Sequence, residues 1–185
     1  MDDLGKRFAD GDDDAFSEVI RQYSRRVFAL CYRLLRNEED ARDMAQEVFV
    51  RAYSKRTSFK ARSSLYTWIY RIALNLCFSE LKRRKTQPAL LSIPLEDVQD
   101  LVAARPDEPS EGPERLEALL AGALESLPPK QRSVFVMKFY DKMTYVEIAK
   151  AAGTSVGAAK ANFHFAVERL RSTLAGKASE EGGAA

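Results

Sequence analysis

Cysteine and histidine are scarce in this sequence. Its 185 residues contain two cysteines, Cys31 and Cys77, and one histidine, His164. There is no CxxC pair and no second cluster of ligands, so neither a disulfide framework nor a zinc site is predicted. Both cysteines lie in helical apolar patterns, and we interpret them as buried thiols in a reducing cytosol rather than as a redox sensor. We expect no metal and no cofactor.

Long hydrophobic runs, a secretory leader and catalytic motifs are also missing. No window reaches about 18 consecutive apolar residues, and the N-terminal sequence has no basic start followed by an apolar run. We therefore expect a soluble, cytoplasmic protein without membrane insertion. His164 has no Ser or Cys partner at a motif spacing, and no glycine-rich phosphate loop occurs. An enzyme is not predicted, and we assign no catalytic residue.

Positive charge is concentrated in one window. Residues 51–85 contain ten Lys or Arg and a single acid, Glu80, so this window carries +9. The whole chain has a net charge of +2, and the remainder is therefore about −7. A basic window between acidic flanks indicates a polyanionic partner. The alternative is a basic face that is merely solvated.

Aromatic rings and helical spacing occur in the same window. The apolar side of a predicted helix consists of Leu65, Ile69, Ile72 and Leu76. A second row mixes polar, cationic and aromatic side chains: Thr67, Arg71, Asn75, Phe78 and Lys82, with Trp68 at its edge. Rings among cations suit unpaired DNA, because a base stacked on a ring contributes about 1–3 kcal/mol. For Tyr66 and Tyr70 we favour the core, and for Trp68, Arg71 and Asn75 we favour DNA.

The N-terminal half is predicted to be a compact helical domain. Asp12 begins a capped helix that ends near Arg36, and Asn37 can cap a second helix. Residues 54–64 are polar and basic and are interpreted as a loop before the third helix. Three such helices with short links make one domain that ends near Lys85.

The character of the chain changes after this domain. Residues 86–117 contain five prolines and eight acids against two arginines. We interpret residues 86–113 as a flexible acidic linker, residues 114–175 as a second helical domain and residues 176–185 as a disordered tail. No strand of any consequence is predicted.

A helix-turn-helix pattern lies inside the second domain. Thr144 and Glu147 match a capping box, Gly153 suits the left-handed position after a helix, and Thr154 or Ser155 can cap the next helix. Such units place the second helix in the DNA major groove, although these signals alone also fit a helical hairpin. The outward side of that helix is predicted to carry Ala158, Lys160, Ala161, Asn162, His164, Phe165 and Arg169. An apolar ring at Phe165 has to meet a thymine methyl, a partner protein or water.

The order of these parts resembles a known family. The segments are DARDMAQEVFVRAY, then SSLYTWIYRIALNLCFSELKRRK, then LESLPPKQRSVFVMKFYDKMTYVEIAKAAGTSVGAAKANFHFAVERLR. They resemble the extracytoplasmic-function sigma factors of bacterial RNA polymerase, group IV of the sigma-70 family, over about residues 14–174. The resemblance implies an all-α fold of two small helical domains joined by the acidic, proline-containing linker. Residues 1–85 would be sigma region 2, and residues 114–175 would be the helix-turn-helix region 4.

The same resemblance implies partners and site residues. The partners are core RNA polymerase, through its β′ clamp helices and β flap, promoter DNA, and an anti-sigma factor. The polymerase-binding residues would be Asp40, Asp43, Gln46 and Glu47, which composition alone describes as a solvated face. The minus-10 residues would be Phe59, Lys60, Arg62, Ser63, Ser64, Tyr66, Trp68, Arg71, Asn75, Ser79 and Lys82, with the loop 59–64 receiving a flipped base. The minus-35 residues would be Thr154, Ser155, Ala158, Lys160, Ala161, Asn162, His164, Phe165 and Arg169.

The chain also departs from the family pattern. Family recognition helices often read GTVKSRLHRARERL, whereas this chain has GAAKANFHFAVERL at residues 157–170. Asn162, Phe165 and Val167 stand where basic residues are frequent, so we expect weak phosphate attraction in this domain. The alternative function is a dimeric helix-turn-helix repressor or activator that needs a palindromic site and no polymerase. A recombinase is not supported, because strands and a nucleophile in context are lacking.

Overall fold

A computed structural model describes residues 3–86 and 113–182 of the chain. The predicted linker falls largely on residues 87–112, which lie outside the described residues, as do residues 1–2 and 183–185. The described residues contain no strand, in agreement with the predicted all-α fold. The helices are α1 (Asp3–Asp10), α2 (Asp13–Leu35), α3 (Glu38–Ser54), α4 (Leu65–Thr86), α5 (Pro113–Glu125), α6 (Pro129–Phe139), α7 (Tyr145–Ala152) and α8 (Val156–Gly182), with a 3-10 turn at Arg56–Ser58.

The predicted caps set the limits of the first two long helices. The Asp12 side chain accepts a hydrogen bond from Ala15 N (3.0 Å) at the start of α2. Arg36 ends α2 in a left-handed conformation, and the side chain of Asn37 accepts from Asp40 N (2.9 Å) to begin α3. These local hydrogen bonds satisfy backbone groups that helix termini leave free, which is why the boundaries were predictable.

Helix α1 was not predicted. Its Phe8 is fully buried, and the ring lies 6.2 Å from the rings of both Phe16 and Trp68. Full burial of a phenylalanine contributes about 1.5–3 kcal/mol, so α1 completes the core of the first domain, residues 3–86. With α1, this domain has four helices, because α2, α3 and α4 also pack against one another.

The second domain, residues 113–182, contains the predicted helix-turn-helix. Thr144 N donates to Glu147 Oε2 (2.8 Å) and Glu147 N donates to Thr144 Oγ1 (3.3 Å), which completes the capping box of α7. Gly153 ends α7 with φ +63°, and Ser155 rather than Thr154 caps α8, since Ala158 N donates to its Oγ (3.1 Å). Helix α8 then packs on α5, α6 and α7.

Helix α8 differs from expectation at its C-terminal end. Val156 begins the helix and is 37% exposed. Residues 176–182 were predicted to be disordered, but the helix continues to Gly182. Residues 171–182 contain no proline, and Gly176 is accommodated inside the helix although glycine is less favourable there than alanine.

The two domains pack against each other, and the sequence did not predict this junction. Helix α7 lies on α4, and α6 lies on α2. Buried residues of α6 and α7 belong to the same apolar cluster as the core of the first domain: Val134, Val136, Met137, Ile148 and Ala151. Polar contacts across the junction join Arg132 Nη1 to Leu34 O (2.9 Å), Arg36 Nε to Glu125 Oε1 (2.9 Å) and Lys150 Nζ to Arg62 O (3.1 Å). The guanidinium of Arg33 also lies 3.8 Å from the ring centre of Tyr140.

The turn between α7 and α8 gives a test with two matched glycines. Gly153 has a positive φ, and a Cβ added there would meet no heavy atom within 4 Å. Gly153→Ala should therefore lower the free energy of unfolding by about 1 kcal/mol through backbone strain alone. Gly157 is helical, so Gly157→Ala should raise stability by up to about 1 kcal/mol. Urea unfolding measures both values, and effects of the same sign would contradict this assignment.

Candidate nucleic-acid interface

One row of α4 faces solvent. Arg71, Asn75, Ser79 and Lys82 are all exposed and follow one another at helical spacing, and we call them the polar row. Ser79 Oγ donates to Asn75 O (2.9 Å), so this hydroxyl is held against the helix. The row presents two cations and an amide, which can bind phosphates and base edges.

Thr67 does not belong to this row, although its spacing suggested so. It is 1% exposed, and its hydroxyl lies 2.8 Å from Ser64 Oγ. Ser64 Oγ also accepts from Thr67 N (3.2 Å), which makes Ser64 the side-chain cap of α4. Ser64 was predicted to contact the minus-10 strand, but its hydroxyl forms the N-cap hydrogen bond of α4 in this structure.

The aromatic residues of this region separate by burial. Tyr70 is fully buried, as we favoured, and its ring lies 4.2 Å from that of Tyr66. Tyr66 is half-buried between Tyr70 and the guanidinium of Arg26, and burial raises its pKa to about 12. Trp68 is half-buried, and its ring lies 5.6 Å from the ring of Phe59. Part of the Trp68 surface is thus used in packing.

The loop before α4 exposes its cations and buries its ring. Lys60 and Arg62 are exposed, Ser63 is half-buried, and Phe59 is only 5% exposed. In this conformation Phe59 supports Trp68 and offers no free face for a base. The backbone of Ala61 has φ +52°, a conformation that residues other than glycine, Asn and Asp seldom adopt. The loop is therefore a tight turn whose charged side chains point to solvent.

The polar side of α3 forms a second exposed surface. Asp43 and Gln46 are exposed, whereas Glu47 is half-buried and bonds to Arg51 (2.6 Å). Asp40 bonds to Arg84 of α4 and therefore also holds α3 to α4. Sequence reasoning missed Val50, which is 59% exposed on the same side of the helix as Asp43 and Gln46. The helical period places Val50 among polar residues, and this position in the sequence could have indicated that its side chain is exposed.

The outward face of α8 is largely as predicted. Lys160, Ala161, His164 and Arg169 are exposed, as are Thr154 and Ser155 before the helix, and Ala158 is half-buried. Phe165 is 56% exposed and lies 5.9 Å from the His164 ring. Asn162 differs, because its Nδ2 donates to Ala158 O (2.9 Å) and its side chain lines a cleft with Phe78 of α4. The side chain of Asn162 therefore faces the junction between the domains and not the outward face of α8 on which Phe165 lies.

Comparison with known proteins identifies the two domains. A family model described as Sigma-70 region 2 matches residues 19–87, and one described as Sigma-70, region 4, matches residues 117–170. The ECF RNA polymerase sigma factor SigW of Bacillus subtilis (strain 168) is 33% identical over 178 residues, which cover 91% of this chain and 94% of SigW. The chain belongs to the extracytoplasmic-function sigma factors of the sigma-70 family. This family is not a class of enzymes.

One further relative and two solved structures are also similar to this chain. The ECF sigma factor SigE of Mycolicibacterium smegmatis is 33% identical over 167 residues, covering 90% of this chain and 64% of SigE. The structure of CnrH in complex with the cytosolic domain of CnrY has a TM-score of 0.68 at 24% identity and covers 94% of this chain and 96% of CnrH. RpoE in complex with the anti-sigma factor NepR from Bartonella quintana has a TM-score of 0.66 at 22% identity, covering 86% of this chain and 96% of that one. At these identities the two structures support the fold.

Each family match falls on one of the two domains of this sigma factor. The region 2 match ends one residue after α4, and the region 4 match begins inside α5. Within residues 3–86 and 113–182, each helix is too short or too polar to cross a bilayer. In the same residues, no cluster of three His, Cys, Asp or Glu side chains is placed to hold a metal ion.

The two aspartates of α3 are expected to differ in their effect on stability. Asp40→Ala removes the ion pair with Arg84 and should lower the free energy of unfolding by about 0.5–1 kcal/mol. Asp43 is exposed, and Asp43→Ala should change stability by less than about 0.5 kcal/mol. Urea unfolding separates the two, and an equal loss would show that Arg84 does not link α3 to α4.

Proposed function

We propose that this sigma factor binds core RNA polymerase through α3, holds the opened minus-10 strand on α4 and reads the minus-35 element with α8. The observation that carries the proposal is the exposed polar row on α4, within the window of charge +9 and in one chain with a helix-turn-helix. Cations along a groove attract any DNA strand, whereas base edges and stacked rings distinguish sequences and unpaired bases. We place this activity in the cytoplasm.

The polymerase contact is assigned to Asp40, Asp43, Gln46 and Glu47, with Val50 added from the structure. Exposed acids and an amide around one exposed apolar side chain fit a protein partner, because the apolar group gains from burial and the acids select a basic surface. We assign the β′ clamp helices as partner of α3 and the β flap as partner of the second domain. By analogy with CnrH and RpoE, we also propose that an anti-sigma protein restrains this chain.

A reconstituted transcription reaction tests the proposal. Purified full-length protein is mixed with bacterial core polymerase and a promoter library, and run-off RNA is sequenced. Promoter-dependent RNA that needs both components is the expected result. A protein that footprints a palindromic duplex alone and yields no RNA with core polymerase would instead be a helix-turn-helix repressor or activator.

Strand opening and polymerase binding should separate by mutation. The double variant Arg71→Ala, Asn75→Ala removes two exposed side chains of the polar row and should lower permanganate reactivity of the opened promoter about fivefold or more. Its affinity for core polymerase should stay within about twofold, while Asp43→Ala should weaken that affinity and leave the reactivity per bound complex unchanged.

Arg83→Ala is the matched control for this comparison. Arg83 is exposed on α4 but bonds to Glu80 (2.8 Å) and lies off the polar row. The Arg83→Ala variant should leave promoter opening unchanged. If Arg83→Ala impairs opening as strongly as the double variant, general positive charge rather than the polar row holds the strand.

Phe165 gives a test of base reading by α8. An exposed ring at the centre of the outward face fits a thymine methyl, and one buried methyl contributes about 0.8 kcal/mol, or about fourfold in affinity. Replacing thymine by deoxyuridine in the minus-35 half of a selected promoter removes only that methyl. The wild-type complex with core polymerase should lose about fourfold in affinity, and Phe165→Ala should lose this sensitivity.

Phe139→Ala serves as the control for this experiment. Phe139 is 45% exposed on α6 and is thus a comparable surface ring outside α8. The Phe139→Ala variant should retain the sensitivity to deoxyuridine. If wild type and Phe165→Ala respond alike, Phe165 does not read a thymine methyl.

A further inference from the structure

A cleft between the end of α4 and the start of α6 lies outside the proposed function. Its volume is about 1040 Å³, near the upper end of the range for small-molecule sites in proteins, about 300–1,000 Å³. Helix α4 forms one wall, and the turn between α5 and α6 forms another together with the first turn of α6. Among the described residues that line it, only Lys82 and Asn162 were assigned to DNA. The cleft is therefore large enough for a ligand that the proposed function does not require.

Positive charge is in excess around this cleft. The described residues that line it include five cations and one acid, Glu125, and this acid pairs with Arg36 (2.9 Å). Lys82, Lys85 and Lys130 are exposed, and within the described part of the chain their amino groups form no ion pair. Like charges that share a cleft repel one another, so an anion bound among the three lysines would relieve this repulsion.

Arg132 adds a buried positive charge to the same wall. It is 9% exposed, and its two Nη atoms donate to the carbonyls of Leu34 (2.9 Å), Glu125 (2.8 Å) and Leu127 (3.3 Å). Its Nε has no hydrogen-bond partner among the described residues. Carbonyl groups are dipoles without net charge, so they hold the guanidinium in place and leave its charge uncompensated. This charge favours an anion in the cleft beside it.

The first turn of α6 contributes backbone donors. Pro128 precedes this helix without a side-chain cap, and Pro129 at its first position has no N–H group. The N–H groups of Lys130 and Gln131 are therefore left without a cap, and both residues line the cleft. Free N–H groups and the helix dipole make the N-terminus of a helix favourable for phosphate. The lysines, Arg132 and this helix end thus favour the same kind of ligand group.

The cleft also has an apolar surface. Phe78, Lys82 and Lys85 are four and three residues apart, so they share one face of α4. Phe78 is half-buried, which leaves part of its ring accessible, and Pro128 and Pro129 line the cleft from the side of α6. A flat heteroaromatic ring can stack on such a surface, and a phosphate chain attached to that ring can reach the lysines.

We propose that this cleft binds a nucleoside polyphosphate, with its phosphates at Lys82, Lys85 and Lys130 and its base against Phe78. An inorganic anion would leave the apolar surface unused, and an uncharged ring would leave the three lysines without a partner. The site does not depend on the proposed function. Because Lys82 also belongs to the polar row, a bound ligand and a DNA strand would share this cation.

The chain itself contains a rival source of negative charge. Residues 87–112, which follow α4 in the sequence, contain six acids and one arginine. These acids are distributed over 26 residues, whereas the charges of a polyphosphate lie on adjacent groups. Three lysines and a helix N-terminus around one cleft match the concentrated charge better. The experiment below includes this rival as one of its outcomes.

Calorimetric titration of the purified full-length protein tests the site. ATP and GTP are the probes, and adenosine, guanosine and inorganic tripolyphosphate are the partial ligands. A probe should bind at least about tenfold more tightly than its nucleoside, because lysine–phosphate bonds are charge-assisted. It should bind at least about threefold more tightly than tripolyphosphate, because the base adds stacking. The double variant Lys85→Ala, Lys130→Ala should weaken nucleotide binding about tenfold or more.

Two further variants separate the site from general charge. Lys6→Ala removes an exposed lysine of α1, away from the cleft, and should keep the affinity for nucleotide within about twofold. Phe78→Leu keeps an apolar side chain but removes the ring, so it should lower the affinity for ATP or GTP about threefold and leave that for tripolyphosphate unchanged. Circular dichroism checks that each variant keeps its helices.

Four outcomes would overturn the proposal. The first is no binding of ATP or GTP to the wild type, and the second is equal affinity for tripolyphosphate and nucleotide. The third is equal weakening by Lys6→Ala and by the double lysine variant, which would indicate attraction by general charge. The fourth is nucleotide binding only after Glu96→Gln, Asp97→Asn and Asp100→Asn are combined, which would make the chain's own acidic segment the occupant. These measurements use neither polymerase nor promoter, so failure of the proposed function would leave them unaffected.

Discussion

Helix α4 is packed by its own domain and by the second domain at once, and this double packing constrains the rest of the molecule. It contacts α2 and α3 as well as α7, and Leu65, Ile69, Tyr70 and Leu74 are all buried. Burying a charge without a partner is expensive, so Arg71 and Lys82 lie on the sector that this packing leaves exposed, whereas half-buried Arg84 is paired with Asp40 and Glu80. The position of the polar row is therefore as much a product of packing as of composition.

The aromatic residues show how packing and binding share one helix. Trp68 lies among Phe8 and Phe59, and Tyr66 lies between Tyr70 and Arg26. Rings beside cations are a pattern typical of single-strand binding, but the same pattern arises wherever an arginine covers a buried tyrosine. The polar row contains no aromatic ring, so under the proposed function it would hold the strand chiefly through charge and hydrogen bonds. Half-buried rings at its edge then limit how a base can stack.

Much of the fold was predictable because its signals are local. A cap joins residues three apart, as in Asn37 with Asp40 or Thr144 with Glu147, and needs no knowledge of the rest of the chain. Helix α1, the burial of Thr67 and the junction between the domains were missed, since each depends on partners far away in sequence. For the site, the exposed row and the outward face of α8 followed from helical period. The burial of Phe59 and the inward orientation of Asn162 did not follow from the period, because they depend on which residues pack around each side chain.

The two domains differ in the charge that they carry. Residues 113–182 contain ten Lys or Arg and eight acids, a net charge of +2, against +9 for residues 51–85. Long-range attraction to DNA scales with the phosphates neutralised, so under the proposed function we expect the first domain to dominate the encounter with a promoter. A domain with weak attraction of its own gains most from being tethered to one already bound, since the tether supplies effective concentration. Under the proposed function, the weakly charged second domain is therefore expected to bind a promoter mainly because it is tethered to the first domain.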